Sequence, residues 1–182
     1  MQFALRHSER CGALVLLVPA TYVPRSDGAP SMKTPAWTQF LFDTALRSDF
    51  LFWTAMRLAR TTVIESILAT PADVLKNAEA EEQARVARIL DHILPISPRR
   101  QGLVNDAAVT GTLSRFPLER IQAPTLVMSV ADDRFGTYDG ARYTAEHIPG
   151  ARFIGYHSGG HVLVGHNEEA TAEIAGFLAN SR

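Results

Sequence analysis

Two short clusters in this sequence hold side chains that could pass a proton between them. Asp132-Asp133-Arg134-Phe135 follows the apolar run Thr125–Val130, and His157-Ser158-Gly159-Gly160-His161 follows Ala151–Tyr156. Both runs read as strands, and in open α/β sheets functional groups sit just beyond the carboxyl ends of strands. If the two strands are neighbours, an acid and a histidine project into one crevice. A carboxylate placed there fixes the imidazole tautomer and stabilises its protonated form, the acid–base half of a nucleophile–base–acid triad. Gly159 and Gly160 tolerate positive φ, which lets the loop reverse and aim His161 inward. Taken singly, each cluster has a plainer reading: the Asp-Asp pair as a solvated loop, the glycine-flanked histidine as a turn residue. Together, at matching strand ends and in the order acid then histidine, they favour the dyad. His157, His161 and His166 with Asp132 offer a rival metal-ligand set. Gly159-Gly160 argues against a helix presenting two histidines on one face, so neither a metal nor a cofactor is expected. Cys11, the only cysteine, excludes an internal disulfide and a thiolate zinc cage, and it reads as a small buried hydrophobe.

The elements that must position these groups are readable from periodicity. Met1–His7 reads as the last turns of a helix with a basic end at Arg6 and His7. Cys11–Val18 is a near-continuous apolar strand, the pattern of a parallel sheet covered on both faces. Pro19, Pro24, Asp27, Gly28, Pro30 and Pro35 then mark an irregular loop. From Trp37 to about Leu113 the pattern is helical. Trp37, Phe40, Leu41, Leu46, Phe50, Trp53 and Met56 recur at helical spacing, with Ser48 and Asp49 placed to cap a second helix. Glu81–Leu94 is the cleanest helix: Val86, Ile89, Leu90, Ile93 and Leu94 form one stripe, Glu81 can pair with Arg85, and Pro95 stops it. Pro98 opens a weaker helical stretch through Val104 and Val109. Strand 125–130, helix 140–148, strand 151–156 and a last helix capped by Asn167, with Glu168 and Glu169 in its first turn, complete a parallel α/β pattern. An all-helical block therefore interrupts an α/β layer between its first and second strands.

These segments resemble the C-terminal part of the α/β-hydrolase fold, in the branch with a helical lid that includes esterases and ring-cleavage-product hydrolases. The resemblance is carried by FALRHSERCGALVLLVPA at 3–20, ERIQAPTLVMSVADDRFGT at 119–137 and GARFIGYHSGGHVLVGH at 150–166. It implies an α/β fold: strands six to eight of the parallel sheet in 1–30 and 114–182, with a helical lid inserted over 31–113. It puts the family's acid on Asp133, with Asp132 as the neighbouring alternative, and the family's histidine on His161. Val130 stands where the family usually has glycine. The nucleophile turn G-x-S-x-G is not found, because no serine or cysteine here has glycine two residues before and two after it. The implied function is hydrolysis of an ester or similar acyl bond through a triad whose nucleophile this chain lacks, so the chain alone is expected to be inactive. A nucleophilic aspartate, as in dehalogenases and epoxide hydrolases, would also lie outside it. The rival reading is a non-catalytic remnant or interaction module that pairs with another chain.

Composition narrows the partners. At 182 residues, 46% hydrophobic and 20% charged, the chain can bury a core, which rules out wholesale disorder. Eighteen basic against nineteen acidic residues leave no basic surplus for nucleic acid or an anionic membrane. The longest apolar run, Ala13–Ala20, is strand-sized and too short to span a bilayer, and the start of the chain is not a signal peptide, which favours a cytoplasmic protein. Trp37, Phe40, Phe42, Phe50, Phe52 and Trp53 crowd one stretch, either as core packing or as the wall of an apolar pocket, and with the resemblance they point to a hydrophobic small-molecule substrate. In the family's order the first strand has its other neighbour outside this chain, so self-association through strand 13–18 is expected.

Overall fold

Three apolar runs line up as a parallel sheet in the order β1-β2-β3, with β1 Leu14–Leu17, β2 Thr125–Val130 and β3 Arg152–Tyr156. They are seen in a computed structural model that describes residues 1–24 and 44–181. Leu14 pairs with Thr125, and Leu126 with Arg152, setting the register that brings the C-terminal ends of β2 and β3 level. All six residues of β2 are buried, as a central strand covered on both faces must be. Its side chains divide with period two. Leu126, Met128 and Val130 join Ile154, Tyr156, Ile174 and Phe177 on one face, while Val127 joins Ala141, Ala145 and Phe153 on the other.

The first helix, α1 (Gln2–Arg6), ends with Arg6 in its last turn, as read from the sequence. The first strand is shorter than Cys11–Val18. Val18 takes a left-handed backbone (φ 40°) before Pro19, which ends the strand after Leu17. Cys11 is half-buried against the cluster around Ala4, Leu118 and Ile121.

Between β1 and β2 the described residues form the helices α2 (Asp49–Leu58), α3 (Arg60–Ile67), α4 (Ala72–Lys76), α5 (Ala80–Asp91) and α6 (Arg100–Gly111). Asp27, Gly28, Pro30 and Pro35, expected in a loop, and Trp37, Phe40, Leu41 and Phe42, expected in the helical block, lie outside the described residues. Of the remaining aromatics of that stretch, Phe52 is buried in the helical core whereas Phe50 and Trp53 are 71% and 44% exposed. Ser48 caps α2, accepting a hydrogen bond from the Leu51 N–H. Asp49 does more than cap. Its Oδ1 accepts from the Ile96 and Ser97 N–H groups (2.6 and 2.9 Å) and its Oδ2 from the Ser97 hydroxyl (2.9 Å), tying α2 to the chain after α5.

Helix α5 carries the expected stripe, with Val86 and Leu90 fully buried, but it ends at Asp91 rather than Leu94. The Pro95 ring cannot pass the carbonyl four residues earlier, that of Asp91, and it bars Leu94 from helical backbone. Arg99 then satisfies the carbonyls of His92 and Ile93 (2.6 and 3.0 Å). Arg85 pairs with Glu82 at i,i+3, not with Glu81. Helix α6 buries none of its residues.

After β2 the chain forms α7 (Thr137–His147), then β3, then α8 (Asn167–Asn180). Helix α7 begins three residues before Gly140 because Gly136, at φ 66°, turns the chain into it. Asn167 is the first residue of α8 rather than its cap, which is His166, while Glu168 and Glu169 lie in the first turn as expected. Among the described residues, no helix is long and apolar enough to cross a membrane.

Candidate active site

The ends of β2 and β3 are joined by one more backbone hydrogen bond, from the Ala131 N–H to the Tyr156 carbonyl (2.9 Å). Beyond it the two strands diverge into the Asp132–Gly136 turn and the His157–His166 loop. The turn is closed by the Gly136 N–H on the Asp133 carbonyl (2.9 Å). Asp133 therefore points back into the crevice, and its side chain has no solvent exposure.

Every oxygen of that carboxylate is used. Oδ1 accepts from the Phe135 N–H (2.9 Å). Oδ2 lies 3.0 Å from His161 Nδ1 and also accepts from the Thr137 hydroxyl. Because Thr137 spends its proton on Asp133, Ser129, 3.0 Å away, is the donor in the Ser129–Thr137 contact. Burial works to raise the Asp133 pKa, but the hydrogen bonds from His161, Thr137 and the Phe135 N–H outweigh it and hold the carboxyl below the ordinary aspartate value. An ionised carboxylate only accepts, so the proton of a neutral His161 sits on Nδ1. Nε2 is then left with its lone pair, as a general base requires.

Asp132 takes a different part. Its Oδ1 accepts from the Gly160 N–H (2.7 Å) and its Oδ2 from the Gly159 N–H (3.3 Å). Of the two neighbouring acids, Asp133 meets the imidazole and Asp132 binds the backbone that leads to it. Gly160 has φ 61°, and a Cβ there would lie 2.5–2.6 Å from Thr70 atoms, including its Cα. Glycine is required on both counts. The carbonyl of Ala69 accepts from the Arg134 N–H (3.0 Å) and the His161 N–H (3.4 Å), so the 68–70 segment of the helical block is wedged between the acid turn and the histidine loop. Arg134 also pairs with Glu65 of α3 (2.8 Å).

The other candidate ligands stand apart. His157 is exposed, and His166 stacks on Tyr156 with ring centroids 4.2 Å apart and lies 3.5 Å from Glu169. Among the described residues, no three His, Cys, Asp or Glu side chains are grouped to hold a metal ion.

An apolar cleft of about 590 Å³ opens beside the dyad. Leu46, Ile67, Leu68, Ile93 and Leu103 of the helical block line it together with Phe135. The Phe135 ring stands edge-on to His161, with centroids 4.9 Å apart. Sequence reading found Asp133 and His161 but missed Thr137, Ser129 and the Ala69 carbonyl. A threonine four residues after the acid, at a helix start, was the available signal for the first. Nothing local marks the other two.

No family model and no curated protein sequence matches the chain. Solved structures do. A hydrolase from Pseudomonas aeruginosa superposes with a TM-score of 0.62 at 23% identity, over 99% of this chain and 58% of that one. An α/β hydrolase fold protein from Nakamurella multipartita gives 0.59 at 21% identity, over 97% and 64%. An esterase from Exiguobacterium antarcticum gives 0.60 at 17% identity, over 98% and 63%. The chain thus spans about three-fifths of the length of these structures. With its parallel three-stranded sheet and the helical block inserted after the first strand, the chain has the fold of the C-terminal part of an α/β-hydrolase.

Proposed function

We propose that this chain supplies the acid and the base of a hydrolase that cleaves an ester or similar acyl bond of a hydrophobic small molecule. The observation that carries this is the buried Asp133 carboxylate 3.0 Å from Nδ1 of His161, at level strand ends. The apolar cleft walled by Phe135 supports the hydrophobic substrate, with the helical block serving as the lid. In this reading, His161 Nε2 takes the proton of a nucleophile as it adds to the acyl carbon, and Asp133 stabilises the imidazolium. The proton passes to the leaving alcohol when the tetrahedral intermediate collapses. His161 then takes a proton from water, whose oxygen adds to the acyl carbon, and returns that proton to the nucleophile as its bond to the acyl carbon breaks and the acid is released. This reading puts the nucleophile and the oxyanion donors outside these 182 residues, in which no G-x-S-x-G turn occurs.

The test is to read the DNA upstream of Met1 in frame, express the extended product, and assay it on nitrophenyl esters. An in-frame G-x-S-x-G turn, with turnover lost in His161→Ala, supports the reading. An aspartate at that turn moves the chemistry to dehalogenation or epoxide opening. Turnover by the 182-residue chain alone that disappears in His161→Ala would overturn the placement of the nucleophile elsewhere.

A second reading, an interaction module that pairs with another chain, is favoured by β1. Among the described residues this strand pairs only with β2, and Leu17 is 41% exposed. A stop codon close to Met1 and an inactive chain would favour it.

A further inference from the structure

The loop that carries His161 is not held by regular secondary structure. Gly159, Gly160, Leu163 and Gly165 all have positive φ. Leu163, at φ 52°, keeps that backbone only because its surroundings impose it. On the sheet side, Asp132 binds the loop through the Gly159 and Gly160 N–H groups. The far side is held from helix α5, by two residues 77 and 83 positions away in the chain.

Glu82 and Arg85 form a bidentate pair, Nε to Oε1 and Nη2 to Oε2, each at 2.8 Å. Such forked pairs are the geometrically demanding kind. The same Arg85 Nη2 donates to the Val162 carbonyl (2.8 Å), and Glu82 Oε2 accepts from the Gly165 N–H (3.0 Å). The pair thus grips the loop one residue after His161 and again four residues after it. Only 18% of the Arg85 and 20% of the Glu82 side chain is exposed, so water competes weakly for the ion pair itself, whereas Gly165 is exposed. The hydrogen bond from Arg85, with that from Gly165, holds the Glu82 carboxyl below the ordinary glutamate value against its partial burial. Packing runs the same way: Val162 and Val164 of the loop belong to the apolar cluster of Val86 and Leu90 on α5. An ordinary surface pair would satisfy its own two charges; this one also satisfies two backbone groups of the histidine loop.

We propose that Glu82 and Arg85 are positioning residues for His161, tying its loop to α5 so that the imidazole stays on Asp133 and the helical block moves only together with that loop. The proposal rests on the reading of Asp133 and His161 as the acid–base pair. Neither Glu82 nor Arg85 touches the reacting atoms.

The test is NMR on the isotope-labelled 182-residue chain, reading two signals: the downfield Nδ1 proton of His161 in its hydrogen bond to Asp133, and amide exchange at Gly165. Urea unfolding of each variant is measured alongside. In Arg85→Ala the Nδ1 resonance is expected to be lost to exchange, and the Gly165 amide to exchange about tenfold faster or more. Arg85→Lys, which keeps one donor but not the fork, is expected to recover part of the resonance. In Glu82→Gln the amide oxygen can still accept from Arg85 Nη2 and the Gly165 N–H, but the NH2 group in place of Oε1 cannot accept from Arg85 Nε and the charge is lost, so the fork breaks and an intermediate loss is expected. If Arg85→Ala fails to fold, Glu82→Gln decides. Faster exchange at Gly165 with an unchanged His161 resonance would overturn the proposal, leaving the pair with no part in positioning the imidazole. A wild-type spectrum without the resonance would overturn the dyad first and the proposal with it, which separates the two failures.

Discussion

Replacing Gly160 by alanine tests whether the helical block is what fixes the histidine loop. The structure divides the cost into two parts. Gly160 has φ 61°, and an L-residue in left-handed backbone costs about 1–2 kcal/mol. The added methyl group would also lie 2.5–2.6 Å from Thr70 Oγ1, Cα and Cγ2. Thr70 is fully buried, its hydroxyl donates to the Leu68 carbonyl (2.8 Å), and the adjoining Ala69 carbonyl is engaged by both loops. It cannot step aside, and overpacking of this kind costs about 1–3 kcal/mol. The sum, about 2–5 kcal/mol, is a large part of the stability of a domain this size. Gly165→Ala is the internal control, because Gly165 has φ 79° but open space at its Cβ position. It should cost only the backbone part, about 1–2 kcal/mol. Urea unfolding followed by far-UV circular dichroism measures both. A second change, Thr70→Ser, removes the Cγ2 contact but leaves Oγ and Cα, so it should rescue Gly160→Ala only in part. If the two glycine variants lose the same stability within about 0.5 kcal/mol, the contact at Thr70 is not a constraint and the reasoning fails.

Two further outcomes follow from the site and the sheet. The Asp133 carboxyl is held below the ordinary aspartate value, so the unfolded chain binds its proton more readily. Its contribution to stability is therefore complete above the ordinary range near pH 3.9 and lost as pH falls through the lower folded value. Urea midpoints measured from about pH 6 down to 2 should fall more steeply in the wild type than in Asp133→Asn, and parallel curves would count against it. Separately, β1 pairs only with β2 among the described residues. We expect the 182-residue chain to form dimers or larger species at micromolar concentration, through that edge. Light scattering that shows a clean monomer would contradict this.

What could be read directly in the chain was whatever depends on a few neighbouring residues. The apolar runs of β2 and β3, the stripe of Val86 and Leu90, the cap at Ser48 and the stop at Pro95 all follow from periods and clashes spanning four residues or fewer. The acid and the histidine were legible for a related reason, since each directly follows a strand whose direction the parallel pattern dictates. Where local reading failed, a local rule met a distant partner. By helical spacing Glu81 was as good a partner for Arg85 as Glu82. Glu82 prevails because the pair turns toward Val162 and Gly165. Asp49 looked like a cap residue, and only folding brings it to Ile96 and Ser97. Sequence alone determined that an acid and a histidine each directly follow a strand; that the two strands are neighbours came with the sheet order. Tertiary structure decided which acid meets the imidazole. Asp132 and Asp133 are adjacent and chemically identical, and the backbone turn that buries one carboxylate against His161 leaves the other facing the Gly159 and Gly160 N–H groups.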